Sequence, residues 1–417
     1  MPPDGIDLTD LDLFVGGFPH DVFARLRKEA PVWWHEPTDH TPDGVGFWVV
    51  SRHADVLAAA SDPATFSSER APGHEGGGTL IQDLPHGLAA GVLLNMTDDP
   101  HHHRVRRLVT PAVSPRALAA MEGELRERAV AILEAVADPE HCDFLSEVAL
   151  ELPIQATLGL LGVPNSDRHR LVAWTAATLT YDDRELGQDT EATRRAAAEM
   201  AAYAAGLIEE KRHRPADDLL SAVVHARVET ADGRTEPLDD LELSMFFSLL
   251  IAAGSETTRN AIALGLAALI DHPAQMEALR RDLSLVDRAT EEILRWSSPT
   301  LYNRRTATAD TTFGGQPLAA GDKVTLWWAS ADFDEEVFDR AQTFDVRRHP
   351  NPHLAFGHGT HFCLGAGLAR LEIRVMLEEL LARFEGFELA GEIERSRTNK
   401  HAGVARMPVR FRRRADG

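Results

Sequence analysis

The longest apolar stretch of the chain, from Leu241 to Ile270, constrains the fold more than any other feature of the sequence. A polar segment, GSETTRN, divides this stretch into two halves of about ten residues, and each half is too short to cross a bilayer. The pattern therefore predicts a buried helix and no membrane anchor.

Helical periodicity continues on both sides of this stretch. Between about residue 100 and residue 300, apolar residues recur at spacings of three and four, which is typical of helices packed on a core. Strand-like runs rich in Val and Trp occupy 31–36 and 46–52, and alternating segments return at 303–330. We expect a mostly α fold with a small β part (α+β).

The 417 residues allow either one large domain or several ordinary ones. No repeat or linker divides the chain, so we expect a single domain over 1–417, with 1–19 as an N-terminal extension. The glycine-rich stretch 71–87 predicts a long loop, and loops of that length are usually functional or disordered.

Charge and cysteine content restrict the partners and the compartment. A formal charge of -22 argues against nucleic acid or an anionic membrane surface as the main partner, because both attract a positive face. The two cysteines, Cys142 and Cys363, cannot build a disulfide framework, and the sequence opens without a secretory signal pattern. We expect a cytoplasmic protein in which Cys142 is a packed structural thiol.

The second cysteine lies in the glycine-rich segment AFGHGTHFCLGAGLARLE, residues 355–372. A helical pattern follows Cys363, so the thiol is expected at a helix N-terminus, where the helix dipole lowers the pKa of a thiol. A buried structural cysteine, a catalytic nucleophile and a zinc ligand are the alternatives. Zinc is disfavoured because no second cysteine lies nearby.

The same segment resembles a known signature. Phe356, Gly359, His361, Cys363 and Gly365 are similar to the pattern F-x-x-G-x-H-x-C-x-G of the cytochrome P450 family, and the resemblance runs from about residue 20 to residue 412. It implies haem b between the long central helix and the helix after the cysteine, with the Cys363 thiolate on the iron. Phe356 would shield the sulfur, Gly359 and Gly365 would admit the porphyrin, and His361 would meet a propionate. It also implies a substrate-access loop at 71–95.

Two acid-containing motifs extend the resemblance. Glu292 and Arg295, three residues apart on a helix, would read as a surface ion pair if taken alone. In the family this pair locks to a downstream arginine, here Arg348, and holds the cysteine loop.

The polar segment of the long helix carries Glu256 and Thr257. A helix kink with threonine bonding back to the helix is one explanation. The resemblance instead implies that Thr257 holds dioxygen, that Glu256 relays protons, and that Ala253 and Gly254 border the haem, with Gly254 opening a groove for oxygen.

Basic side chains of three segments match the family's propionate-binding residues: His102, Arg106, Arg305 and, again, His361. Charge-assisted hydrogen bonds of this kind are strong. The triplet 101–103 of histidines is a poor metal chelator, because neighbours on a helix point in different directions.

Two departures from the family pattern stand out. Asp332 and Phe333 replace an Asn and an Arg, which affects local packing and not the haem contacts. Lys400 and His401 lie where relatives often carry an apolar pair near the substrate. We expect both side chains to face solvent, and a contact with a polar group of the substrate is the competing hypothesis.

The resemblance implies a haem-thiolate monooxygenase that uses O2 on an apolar small molecule such as a steroid, terpenoid, fatty acid or polyketide. The expected pocket walls are the loop from Leu80 to Leu94 together with Leu249, Ala252, Ala253, Thr300, Leu301 and Tyr302. A haem-thiolate sensing protein, a peroxide-driven or ring-coupling oxidase and, remotely, a thiol hydrolase are alternatives.

Electron supply has to come from other proteins, since no reductase or flavin motif is present. The resemblance implies a ferredoxin and an NAD(P)H-dependent ferredoxin reductase. We expect Arg104, Arg107, Arg370 and Arg374 to form a basic docking patch for an acidic ferredoxin.

Overall fold

The structure is a computed structural model that describes residues 5–70, 75–179, 190–229 and 233–414. Helices dominate it. The described residues form thirteen α-helices: α1 His20–Glu29, α2 His53–Ala60, α3 His101–Val109, α4 Pro115–Ala135, α5 Glu151–Leu161, α6 Arg168–Leu179, α7 Glu191–His213, α8 Leu219–Val224, α9 Asp240–Asp271, α10 Pro273–Arg281, α11 Val286–Ser297, α12 Trp328–Ala331 and α13 Ala366–Arg383.

The strands are short. They are β1 Val32–His35, β2 Phe47–Val50, β3 Phe66–Ser67, β4 Gly76–Gly77, β5 Leu84–Pro85, β6 Cys142–Asp143, β7 Val228–Glu229, β8 Thr235–Glu236, β9 Asn303–Ala307, β10 Thr311–Phe313, β11 Gln316–Leu318, β12 Lys323–Leu326, β13 Phe384–Leu389, β14 Glu394–Arg395, β15 Val404–Arg406 and β16 Pro408–Arg413.

The largest sheet has the strand order β1-β2-β12-β9-β3, in which only the β2 and β12 pair is parallel. A three-stranded sheet, β13-β16-β6, pairs Cys142 with Val409 and buries the Cys142 thiol. The prediction of a mostly α fold with a small β part is confirmed.

Helix α9 is the centre of the molecule. A capping box starts it: the Asp239 side chain accepts from the Glu242 N–H, and the Glu242 carboxylate accepts from the Asp239 N–H. From Ala261 to Leu269 every residue is buried, so α9 is surrounded by other helices on all sides. Helices α11 and α13 pack against its second half.

Helix α9 runs through GSETTRN without a break, so this segment interrupts the apolar pattern and not the predicted buried helix. The Ser255 and Thr257 hydroxyls donate to backbone oxygens one turn earlier, which satisfies these polar groups without ending the helix. Among the described residues, no helix is long and apolar enough to cross a membrane.

Two further segments differ from expectation. Residues 71–74 of the predicted loop 71–87 lie outside the described residues, but β4 and β5 form a short hairpin within it. The predicted N-terminal extension packs on the domain, since Leu8 and Phe14 are buried beside Trp327. The described part of that extension therefore belongs to the core.

Candidate functional site

Cys363 lies in a turn that leads directly into α13. Its backbone N–H donates to the Phe356 oxygen at 2.9 Å, which closes the loop, and the helix begins three residues later at Ala366. The side chain is solvent-exposed by area because it opens into an internal cavity.

The expected lowering of the Cys363 pKa is wrong for the protein alone. Burial raises the pKa of this thiol and outweighs the opposing effects of the Gly365 N–H, Arg106 and Arg370. An iron ion bound to the sulfur would remove the proton outright.

Two cavities, of about 240 and 260 Å³, meet at the thiol. Both are bounded by α9 on one side and by the cysteine loop on the other. The residues that line both are Asn95, Ala253, Gly254, His361, Cys363, Gly365 and Leu368. The sulfur therefore faces a slot between the central helix and the loop, as expected for a flat ligand.

Four basic side chains border this slot, and in the described part of the chain the two arginines among them have no ion pair. There Arg305 donates to the Arg304 oxygen at 2.9 Å, and Arg106 donates to the Phe362 oxygen at 2.6 Å. The Nδ1 atom of buried His102 makes no hydrogen bond with these residues and lies 3.5 Å from the Asp99 carboxylate. The His102 ring lies 4.2 Å from that of His361.

Burial also lowers the pKa values of two of these basic side chains. Burial, with a smaller contribution from the Arg305 charge, lowers the pKa of His361 to about 2, and burial lowers the pKa of Arg305 to about 10. Buried cations without counter-charges are costly, so the site fits a ligand that brings carboxylates of its own. Haem b, with two propionates and an iron for Cys363, meets both demands.

The glycines of the site have different reasons to be glycine. A Cβ on Gly365 would meet nothing within 4 Å, which leaves this side of the slot open. A Cβ on Gly254 would overlap the Thr157 side chain, so Gly254 serves the packing of α9 on α5, and it also lines both cavities. Its part in an oxygen groove stays a prediction. Gly359 has a φ of 74°, and a Cβ on it would overlap the Ala60 oxygen. A glycine is therefore needed here for the left-handed backbone conformation and the close approach of Ala60, and not to make room for the porphyrin ring.

The polar residues of α9 separate into two environments. Thr257 lines the cavity of about 240 Å³ with Ala253, and its hydroxyl donates to the Ala253 oxygen at 3.2 Å. Glu256 lies outside the lining of both cavities, and its carboxylate is 3.9 Å from the Arg259 guanidinium. A role of Glu256 toward the slot thus has to be indirect.

The structure brings Glu292, Arg295 and Arg348 together in the core. Arg295 Nε and Nη2 donate to the Glu292 carboxylate at 2.8 and 2.7 Å, and Arg348 Nε donates to it at 3.0 Å. Arg295 also donates to the oxygens of Asp332 and Ala341, so the cluster fixes the backbone upstream of the cysteine loop.

The Asp332 departure is explained by packing. Its carboxylate accepts from the Ser298 hydroxyl at 2.8 Å and from the Leu354 N–H, which ties α11 to the segment before the cysteine loop. Phe333 is buried and lies 4.9 Å from the Arg295 guanidinium.

Only some of the residues predicted to form the pocket walls line the two cavities. Leu249 and Thr300 line them, as do Thr79 and Leu94 of the access loop. The remaining candidates belong elsewhere: Leu301 and Tyr302 are buried beside Trp327 in a separate apolar cluster, and neither they nor Ala252, Lys400 and His401 line either cavity.

Lys400 does not face solvent, which corrects that prediction. Its side chain is 5% exposed, and its Nζ donates to the Tyr302 oxygen at 2.6 Å and to the Thr79 oxygen at 3.3 Å. Its ammonium is thereby occupied by the protein itself, which argues against the substrate contact. His401 is half-buried and bridges the backbone of Thr300.

Three buried cations hold the first half of the access loop, residues 78–83. Arg304 Nε donates to the Gly78 oxygen, Lys323 Nζ to the Ile81 oxygen and Lys400 Nζ to the Thr79 oxygen. Arg304 and Lys323 also pair with Asp83 at 2.5 and 3.3 Å. We call this set the loop clamp.

Only two of the four arginines of the expected basic patch have charges that could attract a ferredoxin. Arg370 pairs with Glu291 at 2.6 Å and stacks on Phe356, and Arg374 pairs with Glu122 at 2.8 Å, so their charges are compensated. Arg104 and Arg107 have no ion pair in the part of the chain that the structure describes, and Arg107 is exposed.

Sequence reasoning missed Glu372, a buried acid in the cavity wall. A signal was present: Leu368, Leu371, Glu372 and Val375 follow the spacing of a buried helix stripe, and the acid occupies an apolar position in it. Within 5–70, 75–179, 190–229 and 233–414, no group of three His, Cys, Asp or Glu residues could hold a metal ion.

Comparisons with known proteins agree with this site. The family model for Cytochrome P450 matches residues 82–412. A Mycobacterium tuberculosis protein named cytochrome P450 126 is 48% identical, with 98% of each chain covered, and a methyl-branched lipid omega-hydroxylase of that species is 39% identical over 98% of this chain and 95% of its own. The structure of a Mycobacterium marinum cytochrome P450 in complex with pseudoionone has a TM-score of 0.88 and 35% identity over 99% of each chain. The chain therefore belongs to the cytochrome P450 family, the haem b monooxygenases with a cysteine thiolate on the iron.

Proposed function

We propose that this monooxygenase hydroxylates an apolar, branched-chain small molecule of the methyl-branched lipid or terpenoid type. The observation that carries the proposal is the cavity wall: apart from the four basic groups that fit the propionates, it contains apolar residues such as Leu94 of the access loop and Leu249 and Leu250 of α9. The relatives named for a methyl-branched lipid and bound to pseudoionone point the same way.

Haem bound in the slot supplies the activation of O2 and the oxidation of a C–H bond. The protein residues then have separate tasks. Cys363 holds the iron, and His102, Arg106, Arg305 and His361 orient the porphyrin through its carboxylates.

Leu249 and its neighbours would exclude water from the slot and fix which C–H bond of the substrate faces the haem. The Thr257 hydroxyl lies on the same helix, in the wall of the other cavity, and can hold a proton-donating water at the oxygen-binding side. Glu256, next to Arg259 at the back of α9, exchanges protons with the solvent side of the helix.

Insertion of one atom of O2 into a C–H bond and release of the other as water consumes two electrons and two protons. We assign the electrons to a ferredoxin and its NAD(P)H-dependent reductase, with Arg104 and Arg107 as the available basic contacts. The free thiols Cys142 and Cys363 suit a reducing cytoplasm.

The experiment has two stages. A carbon monoxide difference spectrum of the reduced enzyme tests the haem-thiolate assignment. Soret shifts are then titrated with pseudoionone, a methyl-branched fatty acid, its linear counterpart and testosterone. We expect the two branched acyclic compounds to bind at least tenfold more tightly than the linear acid and the steroid.

Two leucine variants of α9 test whether the probes bind in this cavity. Leu249→Ala removes a cavity wall and is expected to weaken binding of the branched probes about tenfold or more, at about 0.8 kcal/mol per lost CH2 contact. Leu264→Ala removes a leucine of the same helix that packs in the core, outside both cavities. Equal affinities in both variants, or a preference for testosterone, would contradict the proposal.

A further inference from the structure

Outside the haem slot, the described residues border a cavity of about 760 Å³ beside the first two strands. Its walls are the N-terminal segment, the end of α1, the β1 and β2 pair and the β10–β11 hairpin. None of the residues that line it belongs to the two cavities at the thiol. We call it the tryptophan cleft, after the side chains that set its chemical character: Trp33, Trp34, Trp48, Asp7, Glu29 and Glu36.

Trp34 and Trp48 form one corner of the tryptophan cleft. They are direct partners in the antiparallel pairing of β1 and β2, so their side chains lie on the same face of the sheet. Their ring centroids are 5.4 Å apart, and their ring planes differ by 63°. The Trp48 indole N–H donates to the Asp322 carboxylate at 2.8 Å, and the Trp34 ring lies so close to Gly46 that a Cβ there would overlap it. Both rings are therefore held in place before a ligand arrives.

The charged groups of the tryptophan cleft are acids. Among the described residues that line it, none is Lys, Arg or His. Glu36 lies two residues after Trp34 and is exposed, and its carboxylate makes no hydrogen bond or ion pair within the described part of the chain. Glu29 pairs with Arg25 at 3.1 Å on the surface of α1, an arrangement that contributes little energy. Asp7 already accepts hydrogen bonds within the N-terminal segment, so Glu36 is the carboxylate that is available to a ligand.

These features select a ligand by its charge. The face of an indole ring is electrically negative and attracts a cation, most strongly where water is excluded. The carboxylates act in the same direction and repel an anion or a phosphate group. An uncharged apolar ligand gains from the rings but not from Glu36. An organic ammonium ion, with apolar alkyl groups around a positive charge, gains from both.

We propose that the tryptophan cleft binds a small organic ammonium ion, with its alkyl groups against the Trp34 and Trp48 rings and its charge toward Glu36. Val32 lies on the same face of β1 and adds an apolar wall. A Cβ on Gly314 would overlap Val32, so the β10–β11 hairpin closes that side of the cleft. The site is separate from the monooxygenase reaction and does not depend on the substrate assigned to it.

The first test compares charge with shape. Isothermal titration calorimetry of the haem-loaded enzyme is done with choline, with 3,3-dimethylbutan-1-ol, which has the same shape without the charge, and with glycerophosphocholine, which adds a phosphate. We expect choline to bind at least tenfold more tightly than the alcohol and at least threefold more tightly than the phosphate compound. If choline does not bind, or binds no more tightly than the alcohol, the proposal is overturned.

The absorption spectrum separates this site from the haem slot. A quaternary ammonium ion has no lone pair that could bind iron, so choline should leave the Soret band unchanged while the calorimeter records binding. A Soret shift that follows the same saturation curve would place choline in the haem slot and would overturn the proposal.

Variants then locate the site. Glu36 is exposed, so Glu36→Gln and Glu36→Lys should fold normally; we expect the first to weaken choline binding about threefold or more and the second to abolish it. Trp34→Leu should weaken it about tenfold, with the melting temperature as a check on folding. The matched controls are Trp174→Leu and Glu199→Gln, a hydrogen-bonded tryptophan and acid on α6 and α7, which should bind choline as wild type does. Wild-type affinity in Glu36→Lys, or equal losses in the controls, would contradict the assignment.

Discussion

Replacing Glu292 by glutamine should destabilise the enzyme more than any single surface change. Glu292 and Arg295 are both 0% exposed, and the carboxylate accepts from Arg295, Arg348, the Asp345 N–H and the Asn351 amide. Glutamine has the same shape but no charge, so Arg295 and Arg348 are left buried beside a neutral group. Breaking a buried ion pair by removing one partner costs about 3–5 kcal/mol, and we expect a loss in this range.

Urea unfolding of the haem-loaded enzyme, followed by tryptophan fluorescence and by Soret absorbance, measures this loss. The midpoint should fall, while the slope stays constant because the surface exposed on unfolding is unchanged. The Soret signal should disappear at a lower urea concentration than the fluorescence transition, since the cluster holds the backbone that leads into the cysteine loop.

The matched control is Glu277→Gln, which breaks an exposed pair with Arg281 at 2.8 Å on α10. Surface pairs of this kind contribute less than about 1 kcal/mol. If Glu292→Gln costs no more than this control, the cluster is not held by its buried charges and the argument is refuted.

Three further outcomes follow from the structure. Burial raises the pKa of Glu291, but His353 and Arg370 outweigh it and lower this pKa to about 2. Wild type should therefore be more stable than Glu291→Gln above about pH 5, with the difference fading as the pH falls toward 2 in urea titrations, and a constant difference would contradict this. Gly254→Ala should cost about 1–3 kcal/mol through overlap with Thr157, and Thr157→Ala should recover most of it; a double variant as unstable as Gly254→Ala would argue against this contact. Arg305→Leu should release haem to apomyoglobin roughly tenfold faster or more, since a charged hydrogen bond contributes about 1.5–3 kcal/mol, whereas an unchanged rate would remove Arg305 from the propionate site.

The sequence predicted best where local spacing and chemistry coincide. The loop around Cys363 depends on a few residues that are close in the chain, and so does the pair of Glu292 and Arg295. Spacing along the chain is enough to predict which of these side chains lie close together. The central helix α9 was also predictable, including its passage through the polar segment GSETTRN. Threonine and serine hydroxyls can bond back to the helix, so a polar segment need not end it.

Predictions that depend on distant partners failed. Lys400 was expected at the surface, but the oxygens that hold it belong to Thr79 and Tyr302, far away in the chain. Arg370 and Arg374 were assigned to a docking surface without knowledge of Glu291 and Glu122. The contact of Gly254 with Thr157 was also missed, because nothing in its own helix reveals the approach of α5.

The loop clamp has a consequence for protein engineering. Since Arg304, Lys323 and Lys400 hold the main-chain oxygens of residues 78–81 from three separate segments, substitutions in that half of the loop leave its backbone path unchanged and reshape the cavity little. The half from His86 to Leu93 lacks these anchors and ends beside Leu94 and Asn95 in the cavity wall. A mutant library aimed at new substrates is best placed in residues 86–93. Substitutions there can change access to the cavity and leave the loop clamp intact.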